Sequence, residues 1–428
     1  MTYIPQPLFD TLSQLEALVK ADQQRHDTSR AIDTLLLKQF PSHHTIEYFI
    51  SEYRTIAYFL YSFRGSEDTF NAYRREIERF AQWCWFVQNK SLLVLKRNDI
   101  ENFIEFAQAP PQNWIGTKIV SRFITHQGER VANPLWRPFI AKVSKSAFQE
   151  GKRAKKTKFL LSSEALKQSF AILGTFYNYL IQEEIAESNP IALVRQKSKY
   201  IRKQQSIAPV RRLSLQQWQA VIMAAEKLAE NNPDVHERTL FIMHALCDMY
   251  LRISELTASK RWTPKMSDFF RDSNGNWWFR TVGKGNKMRQ VAVSDTMLLA
   301  LKRYRQSLNL PALPSIDDQH ALIRKKQGFE PIESARAIRQ IVQHCFDEAV
   351  TALRATGAME EARMLQAATV HWLRHTGISE DVKIRPREHV RDDAGHSSSA
   401  ITDRYIDVEL KERAKSAKKK RVPVAQKE

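Results

Sequence analysis

Cysteine is nearly absent: Cys84, Cys247 and Cys345 are the only 3 in 428 residues, widely spaced and set among apolar neighbours. An odd number at such spacing builds neither a disulfide framework nor a thiolate metal site, so the thiols read as small buried hydrophobes. The 12 histidines form no close grouping with cysteine or carboxylate of the kind a dedicated metal site needs. No metal is expected. Glycine is scarce too, at 12 residues, which leaves few interruptions of helical spacing. No unbroken apolar run is long enough to span a bilayer, and the opening MTYIPQPLFD lacks a signal-peptide pattern. A soluble, cytoplasmic protein with no membrane partner is expected.

What the chain has in excess is positive charge. Lys+Arg number 66 against 47 Asp+Glu, a formal net charge of +19. Such a surplus must face something acidic or repel itself, and nucleic acid is the commonest such partner. At 428 residues the chain is too long for one ordinary core, so two domains with linkers are expected.

Apolar residues recur at spacings of three and four, so the chain reads as mainly helical. Ser163 can cap a helix whose Leu166, Phe170, Leu173, Tyr177 and Leu180 share one face before Asn189-Pro190. Another helix runs from about Thr69 to Trp85 on Phe70, Tyr73, Ile77, Phe80 and Cys84. Between them, residues 109–160 carry Pro110-Pro111, Pro134, Pro138 and a basic run from Gly151 to Lys158, and read as an insertion or long loop. Lys152, Arg153, Lys155 and Lys156 of that run read first as a solvated face, and become phosphate contacts only beside a DNA channel. The stretch RQKSKYIRKQQSIAPVRR, Arg195 to Arg212, is basic and lacks an apolar stripe, as an interdomain linker would. Ser214-Leu215-Gln216-Gln217 then has capping-box spacing. Asn274-Gly275-Asn276 reads as a turn, Trp277, Phe279 and Thr281 alternate after it, and a second turn at Gly283 to Asn286 precedes Val291 and Val293. That is a small β-meander within a helical domain. The tail from Lys411 is basic and poor in apolar residues, expected to be helical at first and disordered at its end.

Five features follow one another in the C-terminal half: Leu251-Arg252-Ile253-Ser254-Glu255-Leu256, the hairpin-borne Lys284, His371-Trp372-Leu373-Arg374-His375, Gly395-His396, and Tyr405 nine residues past that histidine. Taken singly, Arg252 reads as a surface ion-pair residue, His371 and Arg374 as a packed helical pair, Lys284 as a solvated turn lysine and Tyr405 as a half-buried aromatic. Together, in this order and spacing, they give a chain that resembles the tyrosine recombinase (phage integrase) family over roughly residues 213–410. Across the N-terminal half the likeness is one of helical character and of Asn189-Pro190 before the linker. The resemblance implies a mainly α, two-domain DNA clamp. It would comprise an N-terminal extension (1–48), a helical core-binding domain (49–197) holding the 109–160 insertion, a basic linker (198–212) that wraps the duplex, a mostly helical catalytic domain with a small antiparallel β-meander (213–410), and a basic tail (411–428).

The activity implied is site-specific recombination, in which Tyr405 attacks a DNA phosphate to form a 3′-phosphotyrosyl link with no ATP, metal or other cofactor. Arg252 and Arg374 are the expected clamps, because guanidinium forks match non-bridging oxygens and stay charged. His371 would accept a proton or donate to the phosphate, His396 would donate to a non-bridging oxygen, and Lys284 would protonate the departing 5′ oxygen. Glu255 would orient an arginine or histidine from the same helix face as Arg252. Arg202 and Lys203 of the linker and Lys287 of the hairpin join the 152–156 cluster as candidate DNA contacts. Departures from the family pattern are Tyr250, where a glycine usually precedes Leu-Arg, Ala394, where leucine usually precedes Gly-His, and an unusually polar stretch between Ile378 and Asp393 that puts the usual helix packing in question. Implied partners are double-stranded DNA and, on paired sites, a homo-tetramer that is monomeric when free and nucleoid-associated when bound. Val408 and Leu410 would begin a segment docking on the neighbouring subunit. A type IB topoisomerase uses similar chemistry to relax one strand, and a catalytically silent DNA-binding regulator could keep the fold; His371 in its motif and Gly395-His396 favour the recombinase.

Overall fold

The computed structural model describes residues 3–24, 32, 36, 48–195, 211–283, 285–403, 405 and 417–418. The chain divides into two compact units, Met1–Ser206 and Ile207–Glu428, each with its own apolar core. The expected linker lies outside the described residues except for Arg211 and Arg212, and so do Arg202, Lys203, Lys284, Val408, Leu410 and nearly all of the tail.

The first unit is built on α1 (Leu12–Gln24), α2 (Phe49–Tyr61), α3 (Glu67–Trp83), α4 (Arg97–Gln108), α5 (Lys145–Gln149), α6 (Ser163–Gln182) and α7 (Pro190–Arg195). The stripe expected on α6 is buried throughout, from Leu166 to Leu180. Its cap is Ser162, one residue before the serine that spacing picks out, and its hydroxyl accepts from Ala165 N. Helix α3 starts earlier than its apolar spacing suggests, because Ser66 caps it, and it ends in a π-helical turn, Cys84–Gln88.

Two readings of the first half change. Residues 109–160 are no bare loop: β1 (Ile115–Gly116) pairs in parallel with β4 (Phe139–Ile140), and β2 (Phe123–His126) with β3 (Glu129–Ala132) makes a hairpin. Gln127 and Gly128, both at positive φ, form its two-residue turn. Trp114, Ile115 and Phe139 enter the core. Nor are the first residues an extension, since Leu8, Phe9, Leu15 and Val19 belong to the same core. What joins these segments is Glu78, fully buried. Its carboxylate accepts Leu8 N at 2.7 Å and Phe9 N at 2.9 Å and pairs with Arg122, whose Nε donates to Phe9 O at 3.1 Å. A buried carboxylate is tolerated only with partners of this kind, and these are supplied from segments far apart in sequence.

In the second unit, α8 (Leu215–Asn231) begins with the expected capping box: Gln217 N donates to Ser214 Oγ at 3.2 Å and Ser214 N to Gln217 Oε1 at 3.0 Å. Helix α9 (Pro233–Cys247) is the central one, contacted by α8, by α11 (Asp295–Ser307), by α12 (Ala335–Ala355) and by α14 (Val370–Asp381). A short helix α10 (Ile253–Leu256) follows α9, and α13 (Met359–Ala367) precedes α14. The meander is β5 (Phe269–Arg271), β6 (Trp277–Val282) and β7 (Met288–Ala292), antiparallel in that order. Phe279 and Thr281 point inward as their alternation requires.

Helix α15 (Arg387–Ala394) packs on β7, and the short α16 (Ser399–Asp403) packs on α15. The polar stretch from Ile378 to Asp393 therefore does form packed helix, around a small cluster of Tyr250, Ile378, Val390, Ala394 and Tyr405. Helix α14 can lie on the end of α9 because residue 377 is glycine: a Cβ there would come within 2.0 Å of the Cys247 carbonyl oxygen. The three cysteines are buried thiols, with Cys345 donating to Val221 O at 3.3 Å.

Candidate functional site

The predicted residues arrive at the site from separate elements. Arg252 immediately precedes α10, His371 and Arg374 stand on the first turns of α14, His396 follows the left-handed Gly395 that ends α15, and Tyr405 follows α16. All five line one cleft of about 650 Å3, with Arg289 and Lys287 from the β6–β7 hairpin. Lys284, in the same hairpin, lies outside the described residues.

Arg374 is almost wholly buried. One guanidinium nitrogen donates to the Tyr250 carbonyl, and the other to the Ala394 carbonyl at 2.6 Å. Arg252 is not on the helix with Glu255, as its spacing suggested, but is the residue before it. Glu255 at the third helical position accepts Arg252 N at 2.7 Å and Arg252 Nη1 at 3.1 Å. The same carboxylate accepts both terminal nitrogens of Arg289, at 2.5 and 2.9 Å. Glu255 therefore orients two arginines, and the second of them was missed by sequence reasoning. Its only signal was proximity to the glycine turn. Arg289 Nε also donates to Asp393 O at 2.9 Å.

Around Tyr405 the rings are layered. His396 lies at 5.6 Å between centroids and 17° from parallel, and His375 at 5.1 Å. His375 in turn meets His371 at 4.3 Å. Thus His375, which sequence reasoning left without a role, stands between His371 and the tyrosine. His396 Nδ1 shares a 2.9 Å hydrogen bond with Thr402 Oγ1, which fixes the imidazole relative to the segment that carries Tyr405.

No family model matches the chain. Among curated proteins it is similar to Tyrosine recombinase XerC of Bacillus subtilis (strain 168), 24% identical over 252 residues, covering 58% of this chain and 71% of that protein. Tyrosine recombinase XerC of Pediococcus pentosaceus is 23% identical over 267 residues, covering 61% and 77%. Among solved structures, XerH site-specific recombinase bound to palindromic difH substrate, in a post-cleavage complex, aligns over 97% of this chain and 99% of that one with a TM-score of 0.51 at 14% identity. That likeness concerns the fold. The chain is similar to tyrosine recombinases.

The cleft is strongly cationic, and that charge acts on its titratable groups. Burial, then the neighbouring Arg252, pulls Arg374 down to about 9, which still leaves it charged at neutral pH. Burial followed by the charges of Arg374, Arg252 and Arg289 lowers His396 to about 4. Burial, His371 and Arg374 lower His375 to about 4. His371 is lowered for the same reasons, burial first and then Arg374 and Arg252. Arg374 thus stays charged among imidazoles whose protonation is disfavoured, and an anion in the cleft would favour it. Burial pushes the Glu255 carboxyl up, but the hydrogen bonds and charge of Arg289 and the Arg252 amide outweigh it, and the carboxyl ends below its ordinary range.

Of the candidate contacts outside the cleft, Lys152, Arg153 and Lys156 make contacts within the protein. Lys152 pairs with Glu150 at 2.9 Å, Arg153 lies over the Phe148 ring at 4.8 Å, and Lys156 Nζ donates to Gln112 O at 3.2 Å; Lys155 precedes a single 3-10 turn. Among the described residues no cluster of His, Cys, Asp or Glu could hold a metal ion, and no helix is long and apolar enough to cross a membrane.

Proposed function

We propose that this chain is a tyrosine recombinase that cuts and rejoins DNA through Tyr405. The phenolic oxygen bonds to phosphorus, the bond to the 5′ oxygen breaks, and a 3′-phosphotyrosyl ester is left. That ester conserves the energy of the broken bond, so a second strand's 5′ hydroxyl reverses the step without ATP. Arg252 and Arg374 hold the non-bridging oxygens, where charge gathers as attack proceeds, and rigidly held donors favour that state over the ground state. His396 donates to the same oxygens, the phenolic proton passes to the His371–His375 side, and Lys284 protonates the departing oxygen. Two duplex sites present four strands and each chain supplies one tyrosine, so the working assembly is a tetramer on paired sites.

The observation that carries this reading is the convergence of Arg252, His371, Arg374 and His396 on the cleft occupied by Tyr405. A nicked suicide DNA site tests it. The parent chain is expected to form a denaturant-resistant adduct, and Tyr405→Phe, which keeps the ring and loses only the oxygen, none, with DNA binding retained. An adduct from the phenylalanine variant would remove Tyr405 from the reaction. Relaxation of supercoils without strand transfer would favour a topoisomerase.

A further inference from the structure

Tyr250 occupies the left-handed region, φ 51°, where a side chain is strained and glycine is usual. In the resembling family a glycine commonly stands there, so this chain retains a bulky residue in a conformation that disfavours it. Such strain persists only where the surroundings over-determine it. Here they do: the ring is fully buried, and the phenol donates to Asp381 while accepting Arg385 Nη1 at 3.0 Å.

The bridge continues. Arg385 Nη2 pairs with Asp393 Oδ2 at 2.6 Å, and Asp393 Oδ1 accepts Ala292 N of β7 at 3.2 Å. Its two ends are the residues that hold the site's cations. The Tyr250 carbonyl takes one nitrogen of Arg374, the neighbouring Ala394 carbonyl takes the other, and the Asp393 carbonyl takes Arg289. The α9–α10 connection and the end of α15 also share Arg374 and a small apolar cluster, to which the bridge adds a polar tie. Among the described residues, Arg385 is the one side chain that joins the Tyr250 phenol to the Asp393 carboxylate.

We infer that Tyr250, Arg385 and Asp393, with Asp381, are positioning residues whose side-chain bridge locks together the two backbone segments that aim Arg374 and Arg289 into the cleft. The inference rests on the reading of that cleft as the site of phosphate attack. None of the four side chains need touch DNA; they act through the carbonyls they hold still. Because the phenol is missing wherever glycine occupies this position, the bridge belongs to this chain and not to the family pattern.

The test uses the full chain, its Tyr250→Phe, Arg385→Gln and double variants, and Arg385→Lys as the conservative replacement. Adduct formation on a suicide site is timed in a single turnover, and DNA affinity is measured separately. Both single variants are expected to slow attack by about tenfold or more, since small misplacements of a clamp are costly, with affinity within about threefold. The double variant should be no slower than the worse single one, as members of one coupled unit are non-additive. Arg385→Lys should recover part of the rate. Guanidinium N–H resonances of Arg374 and Arg289, assigned by replacing each with lysine, should move in both single variants. Single variants within twofold of the parent, or rate losses that multiply in the double, would overturn the bridge. If the parent forms no adduct, the proposed chemistry falls by itself; the resonances then decide the bridge, and unmoved signals overturn it.

Discussion

Glu78 and Glu255 are both fully buried carboxylates paired with arginine, one in each unit, and they do different work. Glu78 draws together Leu8, Phe9 and Arg122, none of which lies near the cleft residues in sequence. Its partners are backbone amides and one guanidinium, so its product is a closed fold. Glu255 binds Arg252 and Arg289, and both of those side chains also line the cleft. The same physical device therefore seals a structure in one place and aims charge in the other. What differs is whether the arginine has somewhere else to point.

The sharpest way to break this comparison is to remove Glu78. Glu78→Ala leaves two amides and the Arg122 guanidinium without their acceptor, and losing one partner of a buried pair costs roughly 3–5 kcal/mol. Denaturant unfolding should register that loss, while adduct formation per folded molecule stays near the parent rate. A variant that is fully stable, or that is stable but inactive, would contradict the assignment of Glu78 to folding alone.

Glu255→Gln should do the reverse. Its amide keeps the shape but frees Arg252 and Arg289 from a charged anchor, so single-turnover cleavage should fall about tenfold or more and the unfolding midpoint should move less than in Glu78→Ala. Equal rates for parent and variant would mean that the arginines find their places without it.

A smaller effect in the second unit is read through pH. His396 has a folded value of about 4, well below the ordinary 6.5. Between those values the unfolded chain takes up the proton first, so stability falls as pH drops from about 6.5 toward 4. Glu255 adds to the same trend lower down: its depressed carboxyl contributes stability present above the ordinary 4.5 and lost as pH falls through the folded value. Replacing His396 with glutamine should flatten the upper part of this decline in thermal melts. Parallel curves for parent and variant would remove His396 from the account.

How much could be seen in the sequence follows from the range of the interactions. Arg252, His371, Arg374, His396 and Tyr405 were legible because each sits in a short motif whose spacing reports its local element. The α8 capping box and the meander were legible for the same reason. Arg289 was not, since its partners Glu255 and Asp393 lie 34 and 104 residues away. That residues 3–24 and parts of 109–160 join the first core was not legible, because Glu78 reaches Leu8 and Arg122 across 70 and 44 residues, and apolar periodicity carries no trace of such pairings. The polarity between Ile378 and Asp393 looked like loose packing, yet Asp381, Arg385 and Asp393 are the network around Tyr250.

Gly377 has a consequence for how this protein could change over generations. The close approach of the backbone at 377, where a Cβ would fall 2.0 Å from the Cys247 carbonyl oxygen, sets the separation between the helix bearing His371 and Arg374 and the loop bearing Arg252. Elsewhere in the core an oversized side chain can be accommodated by trimming its neighbour. Here the neighbour is a peptide carbonyl, which no substitution can shorten. Side chains around the cleft can be exchanged and their neighbours trimmed to fit, but the gap between its two arginine-bearing walls is held at a spacing that no compensating mutation can restore once position 377 acquires a side chain.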